Sequence, residues 1–503
     1  MKKSVYKNSI YNMFYKGFTA LFPLLTTTYI SRILLAEGVG RVSYANTIVM
    51  YFLLVASLGI PFYGVKIIAQ KSNDKKKLTT AFAELFSLNA ITTTICIVAY
   101  YVVINYIPYF KTRIELLNVF GLLLIFNYFN LDWFYQGIEE YSYIATRSII
   151  IKVLSFILML LFVKNYNDIV IYSIILCMAT AGNNILNVLN LKKYLSKEHE
   201  KIDILPHLKP NLIMLASVIA QELYSTIDTL MLEYFYGNSY VGYYSNSVKV
   251  IKMVYTLSIA MVTAFYPRIS QYMKEKNTKE CNKLITSGTK IILLISIPGA
   301  LGIALTSNYS VPIFFGKSFM EAILTMKILS VLIVVFSISY FLGHVVLMSV
   351  GKENKILICT IFGAIVNFIL NLLLIPRYKQ NGAAIASVIS EVVVMMMMIY
   401  NSKNYFELGI DKKFVVSLIT ATLLMGVYVW LINIYIVEIL LGMIASVLGG
   451  VCIYFLSLLL LKNDMIIFFI NTLKNKLKGK MNWKNCYYLW PIFMVITKRL
   501  LMK

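Results

Sequence analysis

The sequence predicts an all-α polytopic membrane protein of about 14 transmembrane helices. Hydrophobic residues make up 59% of the 503 residues and charged ones only 14%, with a mean hydropathy of +0.74. Soluble domains run near ~45–50% apolar and ~25% charged, and no single core could hide this excess. Apolar runs of about 20 residues recur along the chain, the length a helix needs to cross ~30 Å of hydrocarbon. None shows the two-residue alternation of a membrane barrel. A soluble enzyme, a nucleic-acid module and a secreted disulfide scaffold are disfavoured together.

The first run, near 10–31, follows Lys2, Lys3 and Lys7 and lacks a small-residue cleavage site, so it reads as an uncleaved span. Five more follow, near 42–65, 80–104, 114–135, 144–164 and 168–190. Residues 192–210 break the pattern with Lys192, Lys193, Pro206 and Pro210, and read as a cytoplasmic linker. Spans 7 to 12 lie near 211–235, 241–266, 285–306, 323–349, 355–375 and 382–402, and spans 13 and 14 near 414–434 and 438–461. The organisation expected is therefore a lobe over 1–191, a second over 211–402, two appended helices over 403–461 and a basic cytoplasmic tail over 462–503.

A short self-match supports two parallel repeats: Val39-Gly40-x-x-Ser43 after span 1 corresponds to Val241-Gly242-x-x-Ser245 after span 7. Of the 47 Lys and Arg, 34 fall on one side of this scheme, eight on the other and five within spans. The positive-inside rule then puts both termini in the cytoplasm. It also accounts for the net charge of +24 without nucleic acid. The tail, with Lys474, Lys476, Lys478, Lys480 and Lys484, reads either as lying at the interface on anionic lipid or as a solvated end.

Six scattered cysteines without a CxxC pair, and three histidines without ligand spacing, point to no disulfide, metal or cofactor. No phosphate-binding glycine loop or hydrolase triad is present, and external loops are short, so an enzyme is not expected. The informative residues are the polar ones inside spans, which face a cavity or a partner. On span 1, Asn12, Lys16, Thr19, Pro23 and Thr27 form a stripe; span 7 adds Gln221, Ser225 and Asp228; span 8 adds Asn246, Lys249 and Lys252. Span 3 carries Glu84, span 6 Asn183 and Asn187, span 11 Asn367 and Asn371, and span 12 Glu391. Amides and hydroxyls serve equally as interhelical glue, Lys16 and Lys249 could snorkel to headgroups, and Asp228 could pair with a lysine.

Several segments resemble a known family. Tyr29-Ile30-Ser31-Arg32-Ile33-Leu34, with Gly38-Val39-Gly40 and Tyr44-Ala45, is similar to the first-span signature of polysaccharide repeat-unit (Wzx-type) flippases. Leu58 to Val65 resembles the end of their second span, and Asp132-Trp133-Phe134-Tyr135-Gln136-Gly137-Ile138-Glu139 is the most specific match. Ile227-Asp228, Val241-Gly242-Tyr243-Tyr244, Gly382 to Ala386 and Ser390-Glu391 continue it in order, roughly over residues 4 to 460.

The resemblance implies the multidrug/oligosaccharidyl-lipid/polysaccharide exporter superfamily: two six-helix lobes around a central cavity, here with two extra helices. It implies a bacterial cytoplasmic-membrane flippase that moves undecaprenyl-diphosphate-linked oligosaccharide from the inner to the outer leaflet by alternating access. A polymerase and glycosyltransferases would be its working partners. Asn12, Lys16, Arg32, Asp228, Lys249 and Lys252 are the candidate cavity residues, the cations for the diphosphate. Asp228 and Glu84 are the ion-coupling candidates. The rivals are an ion-coupled multidrug antiporter, for which an acidic cavity is expected, a lipid II flippase, and a membrane glycan polymerase or ligase, which would need a large external loop.

Overall fold

The computed structural model describes residues 5–198 and 200–477, with side chains described from Phe22 onward except at 217, 220, 264 and 472–477. The side chains of Asn12 and Lys16, together with His199, Cys486 and the tail from residue 478, therefore lie outside the described residues. What is described is almost entirely helical, without strands. Among the described residues ten helices are long and apolar enough to cross a membrane, or 11 if the pair Asn238–Val262 and Tyr266–Lys274, bent by 42°, is one span. Chain contacts divide into two compact units, Met1–Ser245 and Asn246–Lys503.

In the first unit, α1 (Val5–Ser57) holds two predicted spans. Leu35, in the left-handed region at φ 56°, reverses the chain between them. After the reversal α1 runs against α3 (Lys75–Tyr106): Phe52 meets Tyr100 with ring centroids 5.1 Å apart, and Thr92 donates to the Ala56 carbonyl at 2.6 Å. A turn at Leu58 and Gly59 leads to α2 (Ile60–Lys71). The fourth predicted span is interrupted. Its helix α4 (Ile114–Phe126) gives way to a 3-10 turn, because Asn127 turns its side chain to Asn89 and Thr93 (3.3 and 2.9 Å).

The short α5 (Asp132–Gly137) then begins the family-like segment. Trp133 stacks on Phe82 (5.9 Å, 20°) and Gly64 packs beneath its ring. Tyr135 donates to the Asn187 carbonyl at 2.5 Å on α7 (Ile169–Leu191), across from α6 (Tyr141–Phe162). The segment is a knot of aromatic packing that joins α2, α3 and α7.

Next come α8 (Leu205–Tyr236) and α9 (Asn238–Val262), which straddles the boundary of the units. The helix of span 7, α8, is not among those apolar helices and carries Glu222, Asp228 and Glu233.

In the second unit, α10 (Tyr266–Lys274) leads to α11 (Thr278–Phe315), and α12 (Ala322–Leu329) and α13 (Leu332–Tyr340) continue into a π-helical stretch, Phe341–Leu347. The 50-residue α14 (Glu353–Ser402) again holds two predicted spans, reversed at Lys379, φ 54°. Asn367 consequently reaches Ser390 at 3.4 Å, which a continuous helix would place far apart. The appended α15 (Lys412–Tyr435) and α16 (Ile439–Leu460) pack on α11 through Leu418, Met425 and Tyr454. Beyond them α17 (Asp464–Leu477) begins the basic tail.

The two segments that follow spans 6 and 12 dock alike. After α7, Ser196 and Glu200 donate backbone N–H groups to Thr79 (2.9 Å) and Thr80 (2.8 Å) on the first turns of α3. After α14, Glu407 and Gly409 donate to Asn282 and Thr286 on the first turns of α11, both at 3.2 Å. Lys290 on α11 binds Asp411 at 2.8 Å and holds that carboxyl below the usual carboxylate range.

Candidate functional site

A span carrying three carboxylates is tolerated only where its charges find partners, and α8 shows how. Glu233 is fully buried at the side chain. Arg113, in the loop between α3 and α4, donates to Glu233 Oε1 and Tyr109 donates to Oε2. The guanidinium lies over the rings of Tyr109 (4.5 Å) and Tyr44 (5.7 Å). Near the middle, Tyr51 on α1 and Thr226 on α8 share a 2.6 Å hydroxyl contact.

At the opposite end His207 meets Glu84 (3.0 Å) and Tyr63 (3.0 Å), while Asp203 N–H donates to the other oxygen of Glu84 at 3.1 Å. Gly59 sits there against α8, where a Cβ would meet the Asn211 carbonyl at 2.7 Å. Thus α8 is held to the second arm of α1 near its middle, to α3 at the His207 end and to the α3–α4 loop at the Glu233 end.

The self-matching segments meet at the Arg113 end. A Cβ on Gly40 would fall inside the Asn238 carbonyl and lie 3.0 Å from the Gly242 nitrogen; one on Gly242 would fall inside the Ala36 carbonyl. Ser43 and Ser245 are paired at 3.3 Å. Small residues let helices approach this closely within a membrane, and here the two self-matching segments supply them to each other.

The predicted residues are placed unevenly. Glu84 is bound to His207 at one end of α8. Asp228 is buried further along and accepts a hydrogen bond from the hydroxyl of Tyr244 on α9. The two ion-coupling candidates are therefore not brought together. Lys249 contacts Asn246 at 3.3 Å, and Lys252 lies exposed one turn further on the same helix. Arg32 is exposed three residues before the Leu35 reversal. In the second unit Asn371 donates to Asn367 at 3.0 Å, and Glu391 is buried beside Ser390. Among the described residues no group of three His, Cys, Asp or Glu is placed to hold a metal ion.

Sequence reasoning missed three charged residues. They are Arg113 in the loop before the fourth span, Arg147 near the start of the fifth, and Glu233 at the end of the seventh. Arg147 is 3% exposed and binds Asp132 (2.5 Å) and the Asn183 carbonyl (3.0 Å), with Tyr143 over its guanidinium. Asp132, in the family-like segment, was the available signal that a buried cation had to lie nearby.

A family model described as polysaccharide biosynthesis protein matches residues 5–273, and the MatE model matches residues 214–373. A putative O-antigen transporter of Escherichia coli strain K12 is 24% identical over 408 residues, 80% of this chain and 98% of that protein. The capsular polysaccharide biosynthesis protein CapF of Staphylococcus aureus is 25% identical over 80% of this chain and 100% of its own length. Among solved structures, the lipid II flippase MurJ in an inward closed conformation superposes with a TM-score of 0.73 at 15% identity, covering 91% of this chain and 99% of that one.

Proposed function

The chain belongs to the polysaccharide biosynthesis protein family, and from that premise we propose that it moves undecaprenyl-diphosphate-linked oligosaccharide across the bacterial cytoplasmic membrane. It is a repeat-unit flippase and not an enzyme; the observation that carries this is the family match, extended by full-length similarity to an O-antigen transporter and a capsular polysaccharide protein. The cell-wall flippase shares the fold at 15% identity, which speaks for architecture alone.

In this reading residues 1–191 and 211–402 are the two repeats, joined by 192–210. The alike docking of the segments on α3 and α11 supports it. Both termini are cytoplasmic, so the Glu84 end of α8 faces the cytoplasm and the Arg113 end the outside. Its working partners in this reading are a polymerase and glycosyltransferases of glycan assembly.

A diphosphate entering a low-dielectric site needs cations to replace its hydration, and charge-assisted contacts do this best. Lys249 and Lys252 on α9, with Lys16 and Arg32 on α1, are the residues proposed for it, and Asn12 and Asp228 for the polar lining. The polyprenyl chain stays in lipid, where each methylene is already solvated.

Export by cells carrying Lys249→Ala with Lys252→Ala is expected to fall tenfold or more, since two contacts of about 1.5–3 kcal/mol are removed. The readout is surface glycan per amount of flippase in the membrane. Normal export at normal abundance would remove these lysines from the substrate path.

A further inference from the structure

We propose that the clusters at the two ends of α8 are alternating latches: Arg113–Glu233–Tyr109 closes the outer mouth, and Glu84–His207–Tyr63 closes the inner one. This rests on the alternating-access reading above. Both latches are made in the structure, so α8 is held at one end to the α3–α4 loop and at the other to α2 and α3, with the Tyr51–Thr226 contact to α1 between them. Opening toward either side must break one of them.

The outer latch is suited to this. Separating a buried ion pair leaves an uncompensated charge, at a cost of about 3–5 kcal/mol. Water entering the mouth removes that cost, because it hydrates Glu233 and Arg113 as they part. The latch therefore yields when the outer mouth as a whole opens and resists partial fraying. Beside it, the Gly40 and Gly242 contacts make the closed seam tight enough to exclude water. At the inner end Gly59 against Asn211 does the same beside His207 and Glu84.

The seam can be read with Ser43→Cys and Ser245→Cys, whose hydroxyls are 3.3 Å apart, in the full chain in native membranes with Cys452 and Cys486 replaced by serine. Oxidation should cross-link the pair and stop glycan export, and reductant should restore it. In this background Glu233→Gln is expected to slow cross-linking about fivefold or more, the lower range of allosteric couplings. Tyr109→Phe should slow it less.

Glu84→Gln should leave cross-linking as fast or faster, because weakening the inner latch favours the outer-closed state. General loss of structure would instead slow cross-linking in both. Unchanged cross-linking in Glu233→Gln, or equal slowing in Glu84→Gln, overturns the latches while leaving the flippase reading intact. Undiminished export by fully cross-linked protein would instead overturn alternating access at this seam, and the latches with it.

Discussion

Gly40→Val is expected to reduce glycan export by tenfold or more without emptying the membrane of protein. A Cβ at this position enters the Asn238 carbonyl, and that obstacle is backbone, which no rotamer change relieves. Overpacking of this kind costs about 1–3 kcal/mol, enough to deplete the closed seam roughly five- to 150-fold. Ser43→Ala, one turn along, is the contrasting case. It removes a 3.3 Å hydroxyl pair, and hydrogen bonds between membrane helices average about 0.6 kcal/mol, so export should change less than threefold. Surface glycan normalised to flippase abundance measures both. Equal export from Gly40→Val and wild type would mean that this approach is not part of the transport cycle.

Asp132→Ala is expected to cause a large loss of stability in the first unit, and to cost more than Arg147→Met. The two partners differ in exposure: the Arg147 side chain is 3% accessible and the Asp132 side chain 33%. Removing the carboxylate strands a buried guanidinium, at about 3–5 kcal/mol. Removing the guanidinium leaves a carboxylate that water already reaches, which discounts the loss of the pair to about 1 kcal/mol or less. Thermal unfolding of the detergent-solubilised protein, followed by size-exclusion fluorescence, should rank wild type above Arg147→Met and Arg147→Met above Asp132→Ala. The reverse order would place the charge balance of this pair elsewhere.

Hydropathy made the helices legible, because a bilayer imposes one length and one composition on every span. Each of the 14 predicted segments falls on helical structure. The interruptions were harder to read. Leu35 and Lys379 reverse the chain with positive φ although neither is glycine, and the break after Phe126 follows from tertiary hydrogen bonds of Asn127 that no local propensity encodes.

The self-match of Val39 to Ser43 with Val241 to Ser245 was visible as a repeat, but its meaning was not. Only the fold shows that the two copies pack on each other. Counting cations toward topology says nothing of their partners: Arg113 is committed to Glu233, 120 positions away, and Arg147 to Asp132, 15 away. Pairing across such separations leaves no periodic trace. An excess of carboxylates on α8 was the readable sign that such partners existed.

The most direct test of the flippase assignment is movement of fluorescent undecaprenyl-diphosphate oligosaccharide in proteoliposomes, followed by accessibility to an external quencher. Protein-dependent movement that is lost with Lys249→Ala and Lys252→Ala is the predicted result. Absence of movement from correctly folded protein, together with efflux of a cationic dye under an ion gradient, would contradict it.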